Sequence, residues 1–370
     1  MNLAARAARA QDWLTTAGWP FWATYGIDTV RDGFHESLHH TDATCAAEYR
    51  RLRVLARQIY VFSRASRFGF APGAEIVGRG LRRLRAARGD DGLYPWRFNL
   101  DHTPIDHTRD LYDHAFVLLA FSAAASVVGA DAVQCEALDL ISRVRTRFRH
   151  AYGGYEEALP PTLPRRQNPH MHLLEAALAA HTAFPNQRDA AALAMELGDL
   201  FLQRLFQPET SVLAEFFDDR WAPERPVVVE PGHHYEWVWL LDNLAPLSPD
   251  AQALRDAAGR LYAFASQYGV CPRRHVVRDQ LDDRGTILAD TARLWPQTER
   301  LKAELRYGTS SSIAEADDAL AQYLAAGRPG LWSERMDAAG VFSQEAAPAS
   351  SLYHITCALT ELIDVAATRD

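Results

Sequence analysis

Hydrophobic positions recur every three to four residues along most of the chain, as in LLEAALAAHTAF (173–184) and AALAMELGDLFLQRLF (191–206). That recurrence puts apolar side chains on one face of a helix. It predicts twelve helices, at roughly 3–17, 44–67, 74–88, 108–129, 132–149, 169–184, 187–206, 233–245, 250–268, 290–307, 312–326 and 349–367. Two starts carry a cap residue followed by proline: Ser248-Pro249 and Asn168-Pro169. Between helices lie DGLYPWRFN (91–99), GGYEEA (153–158), SVLAEFFDDRW (211–221), GVCPRRHVVRDQLDDRGT (269–286) and GLWSERMDAAGVFS (330–343). Their glycine turns, aromatics and short extended pieces predict brief β-hairpins or ordered loops.

Every second predicted helix carries a polar or aromatic residue where an apolar face is expected. The series is Arg57, Tyr112, His172, His233, Trp295 and His354, with gaps of 55, 60, 61, 62 and 59 residues. Each gap is the length of one helical hairpin. Six repeats of this kind predict stacked helix pairs, with the even helices facing one another. Period alone leaves a closed ring and an open solenoid both available.

At 370 residues with 48% hydrophobic and 23% charged content, the chain has a globular composition and enough length for a large core. One domain over 1–370 is expected. The net charge of -8 gives no bulk positive field for nucleic acid, although RGLRRLRAARGD (79–90) is locally basic. The apolar run 114–130 contains a histidine and serines, so it is expected as a buried helix and no membrane association is expected. Four widely separated cysteines without CxxC spacing, and an amphipathic start unlike a signal peptide, suggest a reduced, cytoplasmic protein. Phosphate-binding glycine motifs, GxSxG and HExxH do not occur. Neither a metal nor another cofactor is therefore expected, although HMH and HHYE superficially suggest ligands. The oligomeric state is not legible.

Candidate chemistry gathers in a few stretches. In RRQNPHMHLLEA (165–176), Asn168 and His172 are four apart and share a face, and Asn168 has a simpler reading as a helix cap. In EPGHHYEW (230–237), His233 and Glu236 are three apart, so Glu236 could fix the tautomer of His233. Trp237 and Trp239 follow, either as core or as the wall of a sugar pocket. RLWPQTE (293–299) pairs Trp295 with Glu299, and APASSLYHI (347–355) sets His354 among apolar neighbours. Arg57, in ARQIYVFS (56–63), needs a partner or an oxygen-bearing ligand if it points inward.

In this order, ARQIYVFS, YDHAF, RRQNPHMHLLEA, EPGHHYEW, RLWPQTE and APASSLYHI resemble the landmarks of the N-acylglucosamine 2-epimerase family. That family includes mannose isomerase, sulfoquinovose isomerase and cellobiose 2-epimerase. The resemblance spans 56–355 and implies an all-α (α/α)6 barrel. It implies that His354 is the principal base, that His233 assists ring opening or serves as the opposing acid/base, and that Glu236 orients His233. Arg57 would polarise the oxygens at C1 and C2. Asn168, His172 and Glu299 would bind hydroxyls, with Tyr112 and Trp295 completing the substrate site.

The chemistry needs no cofactor. Removal of the C2 proton from an open-chain aldose gives a cis-enediolate. A proton returned to C1 makes a ketose; one returned to the other face of C2 makes the 2-epimer. The expected reaction is D-mannose to D-fructose on free monosaccharide, with D-lyxose to D-xylulose beside it. A 2-epimerase is the alternative. A glycoside hydrolase using Glu236 and Glu299, a non-catalytic sugar-binding protein, and a sulfonate site built from PRRHVVR (272–278) are further readings.

Overall fold

The computed structural model describes residues 1–369. Its inner helices are α3 (Leu52–Arg67), α5 (Leu111–Val128), α7 (Gln167–Ala183), α9 (Pro231–Leu244), α11 (Leu294–Tyr307) and α13 (Ser351–Arg369). Each packs on the next, and α13 packs back on α3. That last contact closes the ring, which the sequence period could not decide. Outside lie α1 (Leu3–Asp12) with α2 (Trp19–Tyr25), then α4 (Gly73–Ala86), α6 (Gln134–Arg147), α8 (Arg188–Leu200), α10 (Ala251–Phe264) and α12 (Ser310–Ala325). The result is the expected (α/α)6 barrel around one continuous hydrophobic core. The apolar helix α5 is long enough to span a bilayer, but it is two-thirds buried and wedged between α3 and α7.

Short ladders run round one mouth of the barrel. The strand entering each inner helix pairs with the loop that precedes the next one. Tyr49–Arg51 pairs with Arg97–Asn99, Arg109–Asp110 with Ala158–Leu159, and Arg165–Arg166 with Phe216–Phe217. Val229 bridges Leu281, and Ala292–Arg293 pairs with Arg335–Met336. Ala347–Pro348 then pairs with Ser37–Leu38 and completes the circle. The expected short hairpins are present as well, as in Arg97–Asn99 with Pro104–Asp106 and Gln280–Leu281 with Ile287–Ala289, and the mouth ladder joins them to the neighbouring loops.

Several element boundaries differ from expectation, and helix α2 (Trp19–Tyr25) lies beyond the helix expected over 3–17. Residues 44–51 are not helical, because Tyr49–Arg51 is drawn into the mouth ladder before α3 starts at Leu52. Ser248 does not cap α10; its hydroxyl accepts from the Asp250 amide at 3.1 Å, and the helix begins at Ala251. Asn168 lies inside the first turn of α7, and its side chain reaches away from the helix.

Buried polar side chains fasten four mouth loops. Nε2 of His114 accepts from the Tyr94 amide, Nε2 of His170 from the Tyr155 amide, and Nε2 of His234 from the Leu213 amide, each at 3.0 Å. Gln297 Oε1 accepts from Val277 at 2.8 Å in the equivalent place. These imidazoles must be neutral to accept. Burial pushes His114 down to about 4, and His170 and His234 down to about 3. Their unfolded forms take up a proton below pH 6.5 while the folded forms do not, so stability falls as pH drops from 6.5 toward 4. Each histidine can contribute up to ~1.4 kcal/mol per pH unit to that fall. His234→Gln, which copies the Gln297 arrangement, should flatten the decline, as read from urea unfolding midpoints at pH 7 and pH 4.5.

Candidate active site

The ladder ring brings the first turns of the inner helices together around a cavity of about 360 Å³. Arg57, Tyr112, Asn168, His172, His233, Glu236, Trp295 and His354 all line it. The ninth expected residue, Glu299, does not. It is completely buried behind His354, accepting from His354 Nδ1 at 2.9 Å and from Lys302 Nζ at 2.6 Å. It therefore orients a histidine and has no surface to offer a sugar hydroxyl.

Three histidines facing the cavity share one design. Nδ1 of His354 is held by Glu299, Nδ1 of His172 by Glu175 at 3.0 Å, and Nδ1 of His233 by Glu215 at 2.9 Å. Each carboxylate fixes a ring orientation and leaves Nε2 on the other edge. Glu236 is not the partner of His233. Three residues further along α9 it is about 4.5 Å deeper, and its Oε1 comes within 3.7 Å of His172 Nδ1. The carboxylate beside His233, Glu215, sits on the loop 211–221 and also accepts from Gln167 at 3.0 Å and from the Glu230 amide at 3.3 Å. Nothing in sequence spacing pointed to it. Glu175 and Lys302 were more accessible, since each lies three residues from a candidate on the same helix.

The same geometry separates the protonation states. Burial lowers His354; Glu299 opposes this, Arg57 adds to it, and the net shift is downward. Burial brings His172 down to about 4 despite Glu175. For His233, burial also pulls downward, but Glu215 and Glu230 outweigh it and the net shift is upward. Burial tends to raise Glu299, yet Lys302 and His354 hold it well below the usual carboxylate range. Glu236 moves far upward through burial and the neighbouring charge of Glu299. Neither oxygen of Glu236 has a hydrogen-bond partner.

Arg57 is 4% exposed and donates to Tyr112 Oη at 2.6 Å and to the Ser350 carbonyl at 3.2 Å. Its guanidinium lies over Phe116 at 4.1 Å and near Tyr353 at 5.0 Å. Among the described residues it has no carboxylate within 4.0 Å, whereas nearby Arg53 is paired to Asp113 at 2.9 Å. Trp295 stands between two of the histidines, 4.7 Å from the His233 ring and 6.0 Å from His354. Trp237 is fully buried and donates to Gln167, so it belongs to the core and does not wall the pocket. Trp239 lies beside a separate cavity with Tyr60 and His181.

Two triads, His172/Glu175/Glu236 and Glu236/Glu299/His354, have donor atoms close enough to surround a metal ion. In both, the histidine and one carboxylate are already joined to each other, and Lys302 neutralises Glu299. The arginines of 272–278 do not reach the cavity. Arg273 and Arg274 bind the carbonyls of Ala338 and Asp337, and Arg274 and Arg278 share Asp290.

Residues 33–358 match the sequence pattern of N-acylglucosamine 2-epimerase (GlcNAc 2-epimerase). The chain belongs to this family. Over 98% of its length and 98% of the relative's, it is 38% identical to a protein named mannose-6-phosphate isomerase from Rhizobium meliloti (strain 1021). It is 30% identical to a D-mannose isomerase from Thermobifida fusca over 67% of this chain and 63% of that one. In fold it matches a cellobiose 2-epimerase from Bacillus thermoamylovorans B4167 with a TM-score of 0.86 at 18% identity, covering 97% and 98% of the two chains. A solved D-mannose isomerase superposes with a TM-score of 0.84 at 20% identity over 97% of each chain. Like other N-acylglucosamine 2-epimerase family members, the protein is a sugar isomerase or epimerase enzyme.

The buried Glu299–Lys302 pair gives a direct test of the site's electrostatics. Lys302→Met should strand a charge beneath His354 and destabilise the fold by about 3–5 kcal/mol in denaturant titration. Glu299→Gln removes the charge that supports protonated His354. The acid limb of the kcat/KM profile should then move to lower pH, with a lower plateau because the ring loses its anchor.

Proposed function

We propose that the protein interconverts D-mannose and D-fructose, with D-lyxose and D-xylulose as a second pair, through a cis-enediolate. The observation that carries this reading is the pairing of two groups on adjacent inner helices in one cavity. His354 is neutral with Nδ1 occupied, and Arg57 is a buried guanidinium that no carboxylate neutralises. The first can accept the C2 proton through Nε2. The second can hold the negative charge that then develops on O1 and O2, in a site where buried charge interactions are strong. Glu236 adds a carboxyl group at the floor, and Asn168 and His172 supply contacts for hydroxyls.

The rim favours an uncharged sugar over its phosphate. Glu215, Glu230 and Glu334 all line the cavity. Arg293 is already committed to Glu230 at 2.8 Å and Asp279 at 2.9 Å. Arg166 has Glu157 at 3.6 Å, and it does not by itself provide the paired cations a phosphate dianion calls for. The glycoside hydrolase reading needs two carboxylates open to substrate, and Glu299 is closed off.

NMR analysis of D-mannose incubated with the protein in deuterated water should show fructose, with deuterium at C1 to the extent that internal return permits. Glucose as the product would instead establish 2-epimerisation. His354→Ala should abolish turnover while leaving the helical circular dichroism intact. Mannose 6-phosphate should be turned over with at least ~10-fold lower kcat/KM than mannose, as expected for roughly 1.4 kcal/mol or more of unfavourable charge at the rim. Near-normal turnover by the His354 variant removes that residue from the chemistry.

A further inference from the structure

Isomerisation starts from a closed sugar ring, and the rim holds a second carboxyl group suited to opening it. Glu334 accepts from Ser351 Oγ at 3.1 Å and from Trp332 Nε1 at 3.3 Å, both neutral donors. Ser351 lies one turn before His354 on α13. The backbone carbonyl of Glu334 accepts from the Leu294 amide at 2.9 Å, next to Trp295. The carboxyl is thus fastened beside the reacting wall by two helices, and Trp332 is itself stacked on Trp22 at 5.3 Å.

The other lining carboxylates have different commitments. Glu215 holds His233, and Glu230 is tied to Arg293 and Gln280. Glu236 lies on the floor beside His172, away from the rim. Glu334 is the rim carboxylate whose direct partners are neutral donors alone. Burial moves it up to about 7 against the weaker pull of the Ser351 and Trp332 hydrogen bonds and of Arg335 and Arg293, while His233 moves upward as well. Both groups line the same cavity, and His233, held at Nδ1 by Glu215, has its Nε2 edge on the cavity side beside Asn168.

Ring opening assisted by His233 is what the family resemblance implies; we infer that Glu334 is the base of that step, toward the anomeric hydroxyl, with His233 as the acid toward the ring oxygen, so that the cavity accelerates mutarotation. This rests on the sugar-isomerase reading for the placement of a closed aldose in the site. The Glu334 carboxylate takes the proton of O1–H. That bond's electron pair becomes the second C1–O1 bond, and the C1–O5 pair leaves to O5. O5 receives the Nε2 proton of His233. Rotation of the C1 aldehyde and closure on its other face reverse each transfer. Both groups regain their starting states, the anomer has changed, and no co-reactant is consumed.

A sugar without a 2-hydroxyl isolates this step. 2-Deoxy-D-arabino-hexose can open and close but cannot yield a ketose by this route. Polarimetry of its freshly dissolved single anomer should show faster equilibration with wild-type protein than with buffer. Glu334→Gln, which keeps an acceptor for Ser351, should lower that acceleration about 100-fold, within the range general acid–base groups supply. D-Mannitol affinity by calorimetry should stay within about twofold, and Glu334→Asp should recover part of the rate. No acceleration by wild-type protein overturns the inference, even if mannose still gives fructose, since the enzyme would then use spontaneously opened sugar. Unchanged acceleration in Glu334→Gln, or loss of mannitol binding along with the rate, overturns the assignment of Glu334. Accelerated mutarotation without any fructose from mannose would support this inference while defeating the isomerase reading.

Discussion

The strand pairing at the mouth is the constraint on which the site depends. An inner helix alone fixes which side chains share a face, but not how far that helix slides along the barrel axis. The ladders set the slide. Each joins the strand entering one inner helix to the loop before the next, and Ala347–Pro348 on Ser37–Leu38 joins the last to the first. Backbone groups left unpaired at a buried mouth would be costly, so the ring holds six helix starts near one level. Arg57, Tyr112, His172, His233, Trp295 and His354 then meet although they are spread over most of the chain.

The paired histidines have opposite duties. His172 and His233 present a ring edge to the cavity, while His170 and His234 accept backbone amides and pin loops. Neutrality suits the second group, because an imidazolium could not accept those amides. Among the cavity histidines, charge is set by what lies behind each ring. Glu299 is largely neutralised by Lys302, so burial dominates at His354 and the ring stays available as a base. Glu215 has no cation bonded to it, and Glu230 reinforces it, so His233 tends to hold a proton. One fold thereby supplies an acid and a base of the same residue type.

This layering explains what was legible in the sequence. The six-hairpin period, the inner helices and eight cavity-lining residues followed from periodicity and from the family resemblance. Depth did not. Glu236 and Glu299 were placed on the correct faces, but three or four residues of helix carry a side chain about 4.5–6 Å further along the axis. Within a barrel that distance separates a group facing substrate from one behind it. Glu215 and Glu334 escaped notice because they lie on loops, where no period links them to the histidines. Residues 44–51 were misread because a helix-like pattern carries no sign of the strand partner at 97–99.

Arg57 and Glu236 line the cavity with polar atoms that no other group of the chain satisfies. Arg57 keeps an Nε without a partner, and both oxygens of Glu236 lack one. Lys302 shows that the fold can neutralise a buried charge where neutrality is useful, as it does for Glu299. Leaving Arg57 without a carboxylate preserves its positive potential for an oxyanion; pairing it would have spent that potential in the ground state. A polyhydroxylated substrate provides the missing oxygens, and its enediolate does so with more negative charge than its aldehyde. Under the proposed reaction, the interactions that these two groups leave open to a ligand would be the ones that grow most as the C2 proton leaves, which is the difference on which catalysis relies.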